Sequence, residues 1–218
     1  MGEGARFADR AAAGRELATH LLRYAGRADA VVLALPRGGV PVGYEVAREL
    51  RLPLDIVLVR KLGVPGREEL AMGAIATPGY TYLDRWLVER LRISSEEVEA
   101  VVARERRELQ RRERAYRGER PPLEIRDKIL ICVDDGLATG ASMRAAVGAL
   151  REGGPARIVV AVPVAAASIA AELESVADEI VAARLPESFR AVSLWYEDFS
   201  QTSDAEVREL LASANRGS

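Results

Sequence analysis

Cysteine and histidine are almost absent: Cys132 and His20 are the only residues of their kinds in a chain of 218. One cysteine excludes an intrachain disulfide, and one His with one Cys cannot furnish a protein-only zinc site or a thiol-imidazole nucleophile. Cys132 lies in the middle of an apolar run, where a small buried side chain belongs, and reads as packing. His20 reads as a surface residue of the first helix. Lysine is nearly as scarce. Lys61 and Lys128 are the only two, and neither follows the glycine loop that G-x-x-x-x-G-K-[ST] requires, so nucleoside triphosphate hydrolysis of the P-loop kind is excluded. The formal net charge of -2 offers no global attraction to nucleic acid or an anionic membrane, so any basic site must be local. No long hydrophobic run is present either. The most apolar segment, Ile158 to Ala171, is too short to span a bilayer and contains Pro163. Met1 to Arg10 is polar, unlike a signal peptide, which predicts a cytoplasmic product without a membrane span.

What is present is apolar content of 49%, enough for a sizeable core in one domain spanning 1–218. Helical spacing at Ala11 to Tyr24 precedes a strand at Ala30 to Leu35. Gly38-Gly39 then opens a helix to about Leu50, and a strand follows at Leu54 to Val59. Further strands at Ile129 to Val133 and Ile158 to Val162 repeat the alternation. The prediction is an α/β fold: a doubly wound, mainly parallel sheet with helices on both faces and a small hood or insertion. An insertion at about 62–120 is expected to hold a loop from Gly63, short strands near Met72 to Leu83, and a charged helix from about Ser94 to Tyr116 stopped by Pro121-Pro122. Ser94 with Glu97 reads as a capping box. The helix carries more Arg than Glu, but Glu108 to Arg112 and Glu113 to Arg117 are favourable i,i+4 pairs. That lacing marks a solvated helix rather than an RNA-binding one. A C-terminal hood or tail is expected at about 184–218.

The richest stretch runs from Ile129 through Asp134 and Asp135 into Gly136, Leu137, Ala138, Thr139, Gly140, Ala141 and Ser142. A buried strand, a small-residue loop and a helix N-terminus together make an anion site. Unpaired N–H groups, the helix dipole and the Thr139 and Ser142 hydroxyls suit a phosphate monoester. Two carboxylates beside that phosphate would repel it unless they faced hydroxyls or a cation; a phosphorylated sugar with a nearby Mg2+ supplies both. Adjacent acids alone would read as a helix-capping acidic turn, and the Thr-Gly-x-Ser continuation decides against that. A second loop, Pro36-Arg37-Gly38-Gly39, also faces a helix start. Glycine lets the backbone approach a pyrophosphate while Arg37 binds it in bidentate fashion; the stretch Gly38 to Gly43 has the wrong spacing for a dinucleotide fingerprint. A third, Arg60-Lys61-Leu62-Gly63, ends the second strand; alone, the basic pair reads equally as a solvated edge.

The segment Val133 to Ser142 resembles the phosphoribosyl-pyrophosphate (PRPP) signature of type I phosphoribosyltransferases, with Ser142 where Thr is usual. Pro36-Arg37-Gly38-Gly39, Arg60-Lys61-Leu62-Gly63 and Trp195-Tyr196-Glu197-Asp198-Phe199 extend the likeness over most of the chain, toward a bacterial group named for its domain rather than its substrate. The resemblance implies that Asp134 and Asp135 hold the ribose hydroxyls and that Gly136 to Ser142 wraps the 5′-phosphate. It also implies that Arg37, Gly38, Gly39, Arg60 and Lys61 take the pyrophosphate, with a cis peptide near Arg37 and Gly38 and a mobile loop after Lys61 through Arg67, Glu68 and Glu69. Asp134, Asp135, Lys61 and Arg37 are then the catalytic candidates, and Trp195 and Tyr196 a base-stacking hood, with aromatic core or dimer packing as the alternative. Mg2+ would ride mainly on PRPP, with no direct protein ligand. The implied activity transfers the phosphoribosyl group to a small-molecule acceptor, a nucleobase first among candidates. The alternatives are a PRPP- or nucleotide-sensing regulator and a PRPP-consuming hydrolase. Nucleic acid and membrane are not expected partners; a homodimer is one outcome for an assembly left open.

Overall fold

The computed structural model describes residues 6–118, 121 and 124–214. Helix α1 (Arg10–Thr19) starts where Asp9 accepts from the Ala12 N–H, and a 3-10 turn at Leu22–Tyr24 finishes the segment expected as one helix. Strand β1 (Ala30–Ala34) leads to α2 (Gly39–Leu50), then to the short β2 (Leu54–Ile56). An antiparallel ribbon follows: β3 (Val59–Val64), β4 (Arg67–Ala76) and β5 (Tyr80–Leu83). Helices α3 (Arg85–Arg90) and α4 (Ser95–Arg117) return the chain to β6 (Ile129–Val133). The remaining elements are α5 (Ala141–Arg151), β7 (Arg157–Val164), α6 (Ala167–Leu173), β8 (Glu179–Arg184) and α7 (Asp204–Ala214).

The large sheet is parallel throughout, in the order β2-β1-β6-β7-β8. Its central strands β1 and β6 are continuous apolar runs, buried throughout, because both faces are covered. Along β1, Val32 and Ala34 face a core with Leu17 of α1 and Val46 and Leu50 of α2, while Val31 and Leu33 face one with Met143, Val147 and Leu150 of α5. Cys132 is buried in the second core, where burial pushes its thiol pKa up to about 12. The expected doubly wound α/β fold is the fold observed. After β1 the chain winds to β2 on one side, and it later returns to the other side as β6. The switch point therefore lies between β1 and β6, and the pairing Ala34↔Val133 ends these strands level with each other.

The second strand differs from expectation. Leu54–Ile56 joins the parallel sheet, whereas Val59 already belongs to the ribbon, with the Leu58 N–H donating to Thr77 Oγ1 at 3.1 Å. Arg60 and Lys61 thus sit inside a strand, not at its end. The loop expected after Lys61 is a hairpin: Val64 pairs with Arg67 across Pro65 and Gly66, and Gly66 has φ +73°. Arg67, Glu68 and Glu69 are its exposed returning strand.

Helix α4 carries the expected capping box at Ser94 and Glu97, but it ends on Gly118 (φ +66°), before Pro121; Pro122 lies outside the described residues. It is not wholly solvated. Leu109 is fully buried, and Arg117, also buried, ion-pairs with Asp55 of β2 at 2.9 Å and with Glu113. The Glu108–Arg112 pair occurs on its exposed side at 2.9 Å.

Candidate functional site

The two loops that follow β1 and β6 meet at the switch point, and glycine is what lets them touch. A Cβ on Gly39 would lie 2.7 Å from the Val133 carbonyl oxygen and 2.9 Å from the Asp134 Cα. One on Gly38 would lie 2.0 Å from Asp135 Oδ2. Gly38 and Gly39 are therefore required by the neighbouring acid turn, whatever else they bind. The peptide between Pro36 and Arg37 is cis, in the loop where the resemblance implied such a bond.

Both acids are half-buried. Asp134 Oδ1 accepts from the Asp135 N–H at 2.9 Å, so the turn closes on itself. Burial raises the pKa of both carboxyls, and the charge of Asp135 raises that of Asp134 further. Arg10 opposes this: its Nε and a terminal nitrogen each lie 2.9 Å from Asp135 Oδ2. The guanidinium is stacked over the Phe199 ring at 4.0 Å and donates to the Ser200 carbonyl at 2.6 Å.

Beyond the acids the loop is pinned to the end of β7. The Leu137 N–H donates to the Val164 carbonyl, the Leu137 carbonyl accepts from Ala166, and the side chain is buried. Gly140, at φ +63°, is the N-cap of α5 and lies against Ile169. Thr139 Oγ1 accepts from the Ala141 N–H at 3.4 Å, and Ala138, Thr139 and Ser142 are exposed. An exposed hydroxyl on each side of a helix start, with first-turn N–H groups that have no intrahelical acceptor, has the chemistry to receive a tetrahedral anion.

The sequence matches the phosphoribosyl transferase domain model over residues 6–189. The chain belongs to this family. It is 44% identical over 210 residues to two curated Mycobacterium tuberculosis proteins, "Putative phosphoribosyl transferase MT0597" and "Putative phosphoribosyl transferase Rv0571c"; the match covers 96% of this chain and 47% of each relative. The chain thus spans about half the length of the curated relatives it matches. The crystal structure of TT1426 from Thermus thermophilus superposes with a TM-score of 0.84 at 42% identity, over 95% of this chain and 98% of that one.

Within this phosphoribosyl transferase domain the expected site residues are unevenly distributed. Asp134, Asp135, Gly38 and Gly39 are in contact. Arg37 is exposed at the entrance to α2, 3.8 Å from Asp204 of α7, which also accepts from the Tyr116 hydroxyl at 2.7 Å. The Arg60-Lys61 pair is split by strand alternation. Arg60 turns onto Glu105 of α4, its Nε donating to Oε2 at 2.7 Å, whereas Lys61 is exposed. Packing limits what two of these residues can do. Leu137 cannot offer its N–H to a phosphate, because Val164 takes it. Tyr196 follows the core-packing alternative rather than the base-stacking one: at 3% exposure it packs between Phe7 and Phe199, and its hydroxyl donates to the Asp135 carbonyl at 2.6 Å. Burial raises its phenolic pKa. Trp195 is half-buried beside it.

Arg10 was not legible as a site residue. It lies 125 positions from Asp135, and no local motif links them. The only available signal was an arginine at the start of a helix, where a cation opposes the dipole and needs another reason to be present.

Proposed function

We propose that the protein is a Mg2+-dependent phosphoribosyltransferase, moving the 5-phosphoribosyl group of PRPP to a nitrogenous base or related acceptor with release of pyrophosphate. The observation that carries this is the acid pair Asp134-Asp135, seated against Gly38 and Gly39 at the switch point, with a helix N-terminus on one side and Arg37 on the other. Family membership supports PRPP as the donor.

In this reading Asp134 and Asp135 accept hydrogen bonds from the ribose hydroxyls. Gly136, Ala138, Thr139, Gly140, Ala141 and Ser142 surround the 5′-phosphate. Arg37, Lys61 and the Gly38 backbone take the pyrophosphate, while Gly39, whose N–H donates to the Leu35 carbonyl, lets the loop pass close to the acid turn; Arg60 is steadied by Glu105. The acceptor nitrogen's lone pair forms the bond to ribose C1 as the C1–O bond breaks, and that electron pair leaves on pyrophosphate. The acceptor's proton is then lost from the product. Positive side chains around the leaving group stabilise the charge it gains, so catalysis is positional and electrostatic.

The acid pair is a hard-oxygen donor set of the sort that suits Mg2+, but no group of three or more His, Cys, Asp or Glu side chains converges among the described residues. A cation held mainly by PRPP fits that composition; when bound it supplies further charge neutralisation on the pyrophosphate. Among the described residues no helix is long and apolar enough to cross a membrane. A cytoplasmic location belongs to the proposed reading.

Calorimetry with PRPP and Mg2+, followed by pyrophosphate release across a nucleobase panel, tests this. Base-dependent release is the expected result. Binding without turnover would make the protein a sensor, and release without an acceptor a hydrolase. Failure to bind either PRPP or a 5′-nucleotide would overturn the reading. Asp134→Asn and Asp135→Asn should each weaken PRPP binding.

A further inference from the structure

We propose that Arg10 is a positioning residue of this site, a clamp from the first helix that holds Asp135 in place for recognition of a vicinal diol. The proposal rests on the phosphoribosyl reading above and adds a residue that lies outside all three motif loops.

Arg10 and Asp135 are both half-buried, with side chains 11% and 16% exposed. Two of the three guanidinium nitrogens fall on one oxygen, Oδ2, so the pairing does not use Oδ1, the oxygen left for a hydroxyl donor. The same Oδ2 occupies the space where Gly38 would carry a Cβ. The carboxylate is thus fixed from two sides. Arg10 is itself fixed: the Phe199 ring lies 4.0 Å from it, and the Ser200 carbonyl accepts from its remaining terminal nitrogen. A long, flexible side chain held at three points has already lost its rotamer freedom before a ligand arrives, which is the requirement for preorganisation.

Charge supports the same role. From α1, Arg10 faces Asp135; from the same turn, Asp134 does; from the C-terminal segment, the Tyr196 hydroxyl meets its carbonyl; from the start of α2, Gly38 brings backbone alone. Arg184, at the end of β8, lies over Phe7 and pairs with Glu16. Two adjacent buried carboxylates resist joint ionisation, and Arg10 is the cation that contacts one of them.

The test combines a direct titration with binding. In protein carrying 13C-labelled aspartate carboxyls, the Asp135 signal, assigned with Asp135→Asn, is followed against pH in wild type, Arg10→Gln and Arg10→Lys. Arg10→Gln should raise the Asp135 midpoint by about one unit or more, and Arg10→Lys should keep most of the wild-type value. PRPP binding with Mg2+ at neutral pH should fall about tenfold in Arg10→Gln and recover as pH rises above the new midpoint. An unchanged midpoint, or binding weakened alike at every pH, would reduce Arg10 to a packing role and overturn the proposal. If Arg10→Gln does not fold, Phe199→Leu takes its place. It removes the ring behind the guanidinium and keeps the charge, so the midpoint should rise by less; no movement would again overturn the idea. Should wild-type protein fail to bind PRPP, the phosphoribosyl reading falls, while the titration still decides whether Arg10 holds Asp135.

Discussion

The crevice between β1 and β6 and the ribbon of β3 to β5 carry the two halves of the basic and acidic equipment, and they are built differently. In the crevice, backbone presses on backbone: Gly39 against Val133 and Asp134, Leu137 bonded to Val164 and Ala166. In the ribbon, the hairpin from Arg67 to Leu70 is exposed, Gly66 meets open space, and Lys61 projects into solvent. On the proposed reading, the difference separates a fixed receptor for the sugar and its phosphate from a more exposed strand of basic residues. A ribose needs hydroxyl partners at set positions, whereas a departing pyrophosphate gains charge and moves, so a long flexible ammonium on an exposed strand suits it. The ribbon is nonetheless anchored at its base, through Arg60 on Glu105.

A matched pair of glycine substitutions breaks this comparison most sharply. Gly39→Ala must displace the end of β6 or the acid turn, since the atoms it meets are backbone. The expected cost is about 2–3 kcal/mol in urea unfolding, with loss of PRPP binding. Gly66→Ala meets nothing and suffers only from its positive φ, for about 1 kcal/mol and little change in binding. Equal costs at the two positions would erase the proposed distinction.

Asp134→Asn should do the opposite to stability. Folding raises the pKa of this buried carboxyl, so between the ordinary carboxylate range and the raised value the folded state binds more protons than the unfolded chain. Stability is therefore full at low pH and falls as pH rises through that window. Asn removes the slope, keeps an acceptor for the Asp135 N–H, and should stabilise the free protein near neutral pH by on the order of 1 kcal/mol while weakening PRPP binding. Urea midpoints at pH 5 and pH 8 for both proteins measure it; parallel pH dependence would contradict the assignment. Smallest in stability is Lys61→Met, an exposed change expected to stay within about 0.5 kcal/mol. Its effect belongs in turnover, and unchanged pyrophosphate release would remove Lys61 from the reaction.

Much of the large sheet was legible because its signals are local. The apolar runs at Ala30 and Ile129, the turn from Asp134 to Gly140 and the helix that Gly39 begins are each read within a dozen residues. The ribbon was less so. Strand β4 begins with the exposed Arg67, Glu68, Glu69 and Leu70 and ends with buried Ala74, Ile75 and Ala76, so neither alternation nor a continuous apolar run marks its whole length. For the aromatic residues the sequence left two readings open, because Trp195 and Tyr196 are neighbours in sequence, yet only Tyr196 is enclosed by Phe7 and Phe199.

The sequence by itself determined the strand-loop-helix units, the acids at the end of β6 and the glycines at the start of α2, because propensity, periodicity and turn chemistry act over a few residues. Only the tertiary structure decided that Asp135 is held by Arg10, that Tyr196 serves the Asp135 carbonyl and that Arg60 is committed to Glu105. These are contacts between distant segments, selected by which charges and rings the packed core brings close enough to desolvate one another.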